Sequence, residues 1–148
     1  MTTEAAPGSV VVGVEHGGGS RTAIRMAAQE ARFRHATLIA VMAYSGDRAM
    51  APVGRPTASL SIAGEERFVT ESALRDAVVD ALGEEADQVE LRTALGLAGR
   101  NLVDTARRVN AQLIVLAGRS SIDVLRKAPC PVLVVPDGGE APAPAGRG

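Results

Sequence analysis

Short runs of apolar, mostly β-branched residues alternate along this chain with longer stretches in which apolar residues return every three or four positions. The runs at 9–14, 37–43, 88–93, 113–117 and 131–135 predict five strands. Between 20 and 35, Ala23, Ile24, Ala27, Ala28 and Ala31 recur at helical spacing with arginines on the other side, which predicts a helix whose small-residue face packs closely on a sheet. A second helix is expected over 64–82, with Val69, Ala73 and Ala77 beside Phe68, Leu74, Val78 and Ala81 as adjacent apolar rows, and with Glu65 and Glu66 favouring its start. A third, over 100–110, should bury Leu102, Val103, Ala106 and Val109. A short fourth, over 121–128, stops at Pro129 and has Ser120 and Asp123 as a capping pair. Strands that alternate with helices and read as apolar on both faces imply a parallel sheet covered on both sides, an α/β three-layer sandwich with right-handed crossovers. Such sheets bind ligands at the carboxyl edge of the strands, where the strand order reverses.

The connection at 44–62 is long for a compact domain and is expected to be a mobile loop or a lid. Residues 1–8 and 137–148 are rich in Ala, Pro and Gly without apolar periodicity and read as disordered tails around one domain at 9–136. A chain of 148 residues with 46% hydrophobic residues suits such a domain. The formal net charge of -1 gives no electrostatic reason to expect nucleic acid or an anionic membrane as partner. Nor does any apolar run approach the roughly 20 residues needed to cross a bilayer. An acidic residue, Glu4, stands where an export signal would carry a base, and the single cysteine, Cys130, excludes an internal disulfide framework, so a cytoplasmic location is expected. Cys130, between Pro129 and Pro131, is expected to be a packing thiol, with an intermolecular redox partner as the alternative.

The first strand leads into Gly13-Val14-Glu15-His16-Gly17-Gly18-Gly19-Ser20, a glycine-rich turn opening a helix, where free backbone N–H groups could hold an anion. Gly13, Gly18 and Ser20 have Walker A spacing, but Gly19 stands where the phosphate-clamping lysine would be. A dinucleotide fingerprint fails as well, because Glu15 replaces the glycine that lets a pyrophosphate approach the backbone. A turn that needs positive φ and brings strand and helix together accounts for the same glycines without a ligand.

The pattern from Ser9 through Glu15-His16 to Ser20-Arg-Thr-Ala-Ile-Arg-Met-Ala resembles the first strand and helix of the universal stress protein family. Ala111 to Gly118 resembles that family's fourth strand, Gly96 to Leu102 the opening of its third helix, and Val124 to Val135 its final helix and strand. The resemblance covers about 9–136 and implies a sheet of order 3-2-1-4-5 with four helices on both faces. It also implies a homodimer paired through the last strand, at Val132, Leu133, Val134 and Val135. Covering an exposed apolar edge gives dimerisation a physical motive too.

ATP-binding members of that family carry G-x2-G-x9-G-[S/T] after the fourth strand, a loop that cradles phosphates and ribose. Here Gly118 stands for its first glycine, but only Arg119 and Ser120 separate it from Ser121, and the family's first-strand Asp and the glycine after it are replaced by Glu15 and His16. The resemblance therefore implies a member that does not hold ATP by the family motif, carries no cofactor, and acts in stress response through protein contacts or an unidentified small ligand. The alternative is a regulator that binds ATP, AMP or cyclic AMP in a rearranged crevice lined by Glu15, His16, Gly17, Gly18, Ser20, Gly118, Arg119, Ser120 and Ser121. A serine, a histidine and a carboxylate would formally suffice for nucleophilic chemistry there, but no G-x-S-x-G elbow is present, so the chain is not expected to be an enzyme. His16 reads as a solvated loop residue and His35 as a helix-end residue, and two histidines without ligand spacing predict no metal site. Arg107 with Arg108, and Arg126 with Lys127, lie near helix carboxyl ends, where the dipole explains them.

Overall fold

The computed structural model describes residues 7–16, 18–45, 56–118 and 121–136, with the backbone alone for 56–63 and 121. Both tails beyond these residues, and 46–55 of the long connection, lie outside the described residues. Five strands, β1 (Ser9–Gly13), β2 (Thr37–Tyr44), β3 (Glu90–Leu95), β4 (Leu113–Ala117) and β5 (Val132–Val135), form one sheet of order β3-β2-β1-β4-β5 in which every pairing is parallel. Four helices connect them: α1 (Arg21–Arg34), α2 (Pro56–Leu82), α3 (Ala98–Arg108) and α4 (Ser121–Lys127), with a 3₁₀ segment at Gly83–Gln88 between α2 and β3.

Side chains alternate across the strands, so each strand feeds two cores. Val10, Val12, Leu38, Ala40 and Met42 face α1 and α2, whereas Val11, Ile39, Val41, Ile114 and Leu116 face α3 and α4. The expected face of α1 is buried at all five positions. His35 ends that helix in the left-handed region at φ 52, where the backbone N–H groups of His35 and Ala36 reach Arg32 and Ala31 oxygens and satisfy two carbonyls of the last turn. Arg25 donates from Nε to Ala81 O at 3.1 Å, tying the end of α2 to α1.

The second helix corrects the sequence expectation twice. It starts at Pro56 rather than near residue 64, so part of the long connection is helix, and Pro56 suits the first helical position, where a missing N–H costs nothing. Its buried stripe is Thr70, Leu74, Val78 and Ala81; Phe68 and Val69, expected inside, are 73% and 62% exposed. The third strand lies two residues later than the 88–93 run, and α3 starts two residues before Arg100. Val109 follows α3 and is only partly buried against the second core. No described helix is long and apolar enough to cross a membrane.

Candidate functional site

The carboxyl ends of β1, β2, β3 and β4 lie along one edge of the sheet, and the residues that follow them form the candidate site. Val14 N–H donates to Val41 O at 2.9 Å, which extends the β1–β2 pairing one residue past the strand. The chain then turns. Gly18 and Gly19 both have φ near +90°, at 91° and 88°, a region closed to most side chains. At Gly18 an added Cβ would meet nothing within 4 Å, so the torsion, not close packing, requires glycine there. The turn is closed from inside: Ser20, 3% exposed, accepts a hydrogen bond at Oγ from the backbone N–H of Glu15 at 2.9 Å. Its hydroxyl oxygen serves the loop and makes no cap to α1, although Ser20 stands at the N-cap position.

Glu15 and His16 are neighbours in sequence and line different cavities. Glu15 faces a cavity of about 30 Å³ walled by apolar groups of Gly13, Val41, Leu102, Ala117 and Val124. This is the space between β1 and β4 at which a doubly wound sheet would take a ligand. It is closed by Leu102 on α3 and by Val124 on α4, which is fully buried. The two helices meet closely: a Cβ at Gly99 would lie 3.4 Å from Val124 Cγ2, and one at Gly13 would lie 3.1 Å from Leu102 Cδ2. Arg107 secures this lid by donating to Lys127 O, at the end of α4, at 3.1 Å. The dipole role expected for Arg107 is thus carried to a neighbouring helix.

His16 opens instead onto a cavity of about 530 Å³ between α2 and the β3–α3 turn, also lined by Tyr44, Glu65, Glu66, Thr70 and Leu97. Its Nε2 lies 3.2 Å from Ala43 O; a carbonyl only accepts, so Nε2 carries the proton in this bond. The β3–α3 turn is fixed by Gly96, at φ 120°, whose N–H donates to Tyr44 O at 2.9 Å. Asn101 completes it by donating from Nδ2 to Leu95 O and Leu97 O, both at 3.1 Å. Asn101 lies in the Gly96–Leu102 stretch, and its place five residues after a glycine at a strand end is the sequence signal for this role.

Gly18 is exposed at the turn and Gly118 is half-buried beyond β4, whereas Gly17, Arg119, Ser120 and the side chain of Ser121 lie outside the described residues. The Ser20 and His16 bonds run to Glu15 and Ala43, so neither joins the two as a nucleophile and its base. No group of three or more metal-ligating side chains occurs among the described residues. Val132 and Leu133 are partly buried, Val135 is buried, and Val134 is 37% exposed on the edge strand.

Cys130 is half-buried against the α3–α4 core, and its burial raises the thiol above the usual cysteine range by penalising the thiolate. Iodoacetamide should therefore alkylate it more slowly than free cysteine at about pH 8, as a timed mass measurement will read. The folded state binds the proton more tightly, so this contribution to stability is full below the unfolded-state pKa. It is lost as pH rises through that value toward the folded one.

The sequence profile described as the universal stress protein family matches residues 8–136. No curated protein matches the chain. Among solved structures, the chain is similar to the universal stress protein UspA from Lactobacillus plantarum, with 20% identity, 89% of this chain and 99% of that one covered, and a TM-score of 0.67. It is also similar to a universal stress protein in complex with cAMP, at 26% identity, with 90% and 99% covered and a TM-score of 0.56. A third similarity is to the universal stress protein from Archaeoglobus fulgidus in complex with dAMP, at 25% identity, with 87% and 97% covered and a TM-score of 0.50.

Proposed function

Because this chain belongs to the universal stress protein family, we propose that it is a non-catalytic, cytoplasmic member that acts in stress response as a homodimer through protein contacts, without a nucleotide at the carboxyl edge of its sheet. The observation that carries this reading is the cavity of about 30 Å³ where β1 and β4 diverge. Ligand pockets run from roughly 300 Å³ upward, so an adenine ring would have to displace Val124 and α4 with it. The sequence adds that only two residues join Gly118 to Ser121, too few to wrap a triphosphate in backbone N–H groups. Support for the homodimer comes from β5, an apolar strand at the edge of the sheet on which Val134 is 37% exposed. The single cysteine suits a reducing compartment.

Titration calorimetry with ATP, AMP and cyclic AMP tests the nucleotide part of the reading. No binding tighter than about 1 mM is expected for any of the three. Micromolar binding of any one would overturn it and favour the second reading, a nucleotide-binding regulator. That alternative draws on the neighbours solved with cAMP and dAMP. The cavity of about 530 Å³ is large enough for such a ligand, but the acidic or basic side chains among its described lining residues, apart from His16, are Glu65 and Glu66, which would repel a phosphate. The acidic lining is why the first reading is preferred.

A further inference from the structure

We propose that the groove between α3 and α4 is a docking surface for a segment of a partner protein that carries one apolar anchor and, a few residues away, a pair of carboxylates. The proposal rests on the reading that this chain acts through protein contacts, and it names a surface other than β5. The groove measures about 700 Å³. Leu97 and Ile122 line it and are 74% and 68% exposed, large apolar side chains that a partner would take out of water. Charge divides the two faces of the sheet. Helices α3 and α4 carry five basic residues against two acidic ones, whereas α1, α2 and the 3₁₀ segment on the other face carry six basic against nine acidic. With a net charge of -1 for the whole chain, the α3–α4 face is a basic surface on an otherwise acidic protein. On the acidic face the arginines are engaged, Arg21 with Asp80, Arg32 with Glu85, Arg34 with Glu30 and Arg67 with Glu71. On α3 and α4 no ion pair forms among the described residues, and Arg107 uses one N–H on Lys127 O and keeps the others.

The order of groups along the groove defines the partner segment. Both helices run away from the carboxyl edge of the sheet, so Leu97 and Ile122 lie at one end of the groove and Arg107 and Lys127, joined by their hydrogen bond, at the other. Leu97 and Arg107 are ten positions apart on α3, about 15 Å at the helical rise. An extended segment covers about that distance in four or five residues. Val103, 4% exposed, gives the groove an apolar floor between the two ends. Asp104 lies midway and Asp123 beside Ile122, so a segment acidic throughout is disfavoured and its carboxylates belong at the Arg107 and Lys127 end. The residues that precede Ile122 outside the described side chains, Arg119, Ser120 and Ser121, bring one basic and two neutral groups and do not reverse the sign of the charge.

The probe is the peptide acetyl-Ser-Leu-Ser-Ala-Ser-Glu-Glu-Ser-amide, with its reversed sequence as a second probe, titrated into the full chain while backbone amide chemical shifts are followed. Saturable shifts at Leu97, Val103, Arg107, Ile122 and Lys127 are expected from one of the two. Replacing the peptide's leucine by serine, or its glutamates by glutamines, should weaken binding about fivefold or more. Lys127→Gln and Ile122→Ser should each do the same, whereas Arg108→Gln, on α3 but outside the groove, should leave binding unchanged. The proposal is overturned if neither peptide gives localised shifts up to about 5 mM. An equal loss in Arg108→Gln, or equal shifts from inorganic polyphosphate, would overturn it by revealing attraction to anions in general. Binding that appears only when Asp137 and Glu140 are changed to Asn and Gln would overturn it by assigning the groove to this chain's own carboxyl segment. Because the nucleotide titration and the oligomeric state are read separately, failure here is distinguishable from failure of the reading it rests on.

Discussion

Cutting Ile24 back to alanine should lower the free energy of unfolding by about 3 kcal/mol, because it removes the one large, fully buried side chain of α1. The helix buries five residues, and four of them, Ala23, Ala27, Ala28 and Ala31, are already alanines. Ile24 is the one large side chain of α1 that is fully buried, in the cluster with Val10, Val12 and Val115, whereas Met26 packs against that cluster only in part. Valines on strands are stiff at χ1 and held by the ladder, so the walls of the new cavity cannot close on it. Met42 is the adaptable neighbour in the same cluster and would recover a part. In urea the loss should appear as a lower midpoint at an unchanged slope, and in a thermal scan as a fall of roughly 10 °C. Phe33→Ala is the control: Phe33 lies on the same helix but is 70% exposed, so its loss should stay within about 0.5 kcal/mol. A loss below about 1 kcal/mol for Ile24→Ala would mean that α1 moves inward and that its packing on the sheet is looser than its alanine face implies.

That alanine face is also why α1 was readable from sequence. One apolar stripe with arginines opposite admits one orientation, and the strands, buried on both faces, read as unbroken apolar runs. Helix α2 is harder to read because its buried stripe includes Thr70, 2% exposed, a polar residue on the core side. Of the two expected rows, Ala73, Leu74, Ala77, Val78 and Ala81 do pack on the core, and only their first members, Phe68 and Val69, point to water. The first turns of α2 carry a weak signal because 56–63 has no charged residue to mark a solvent face, although Pro56 is itself a helix-start signal. The third strand was displaced by two residues because it is an edge strand, half-exposed along its length, whose pattern is the weakest of the five.

At the site, sequence was informative about which loops carry candidate residues and silent about how space is divided among them. Glu15 and His16 look like a pair in one crevice, but consecutive residues leaving a strand point to opposite sides, which is how they come to line separate cavities. Ser20, a candidate ligand group, is committed instead to the Glu15 N–H. What fills the smaller cavity comes from Leu102 and Val124, distant in sequence from the glycine turn, and such a contact has no local signature.

Val134→Lys should convert a homodimer into monomers, raising the dissociation constant by about 100-fold or more. The two edges of the sheet differ in a way that favours association at one of them. On β3 the ion pair between Arg92 Nε and Glu90 Oε2 puts charge on the strand, the usual protection of an edge. On β5 all four residues are apolar, they pair with β4 on one side only, and Val134 is 37% exposed. A two-fold axis beside β5 would bring this patch onto its own copy, so one substitution acts twice in the interface. Two lysine ammonium groups facing each other across that axis would lose hydration or repel, whereas in a monomer the exposed position tolerates either residue. Sedimentation velocity at concentrations spanning the transition reads both species, and unchanged circular dichroism shows that the variant remains folded. If the unsubstituted chain itself sediments as a monomer, the homodimer fails, and the unprotected β5 edge becomes the surface on which to seek a different protein.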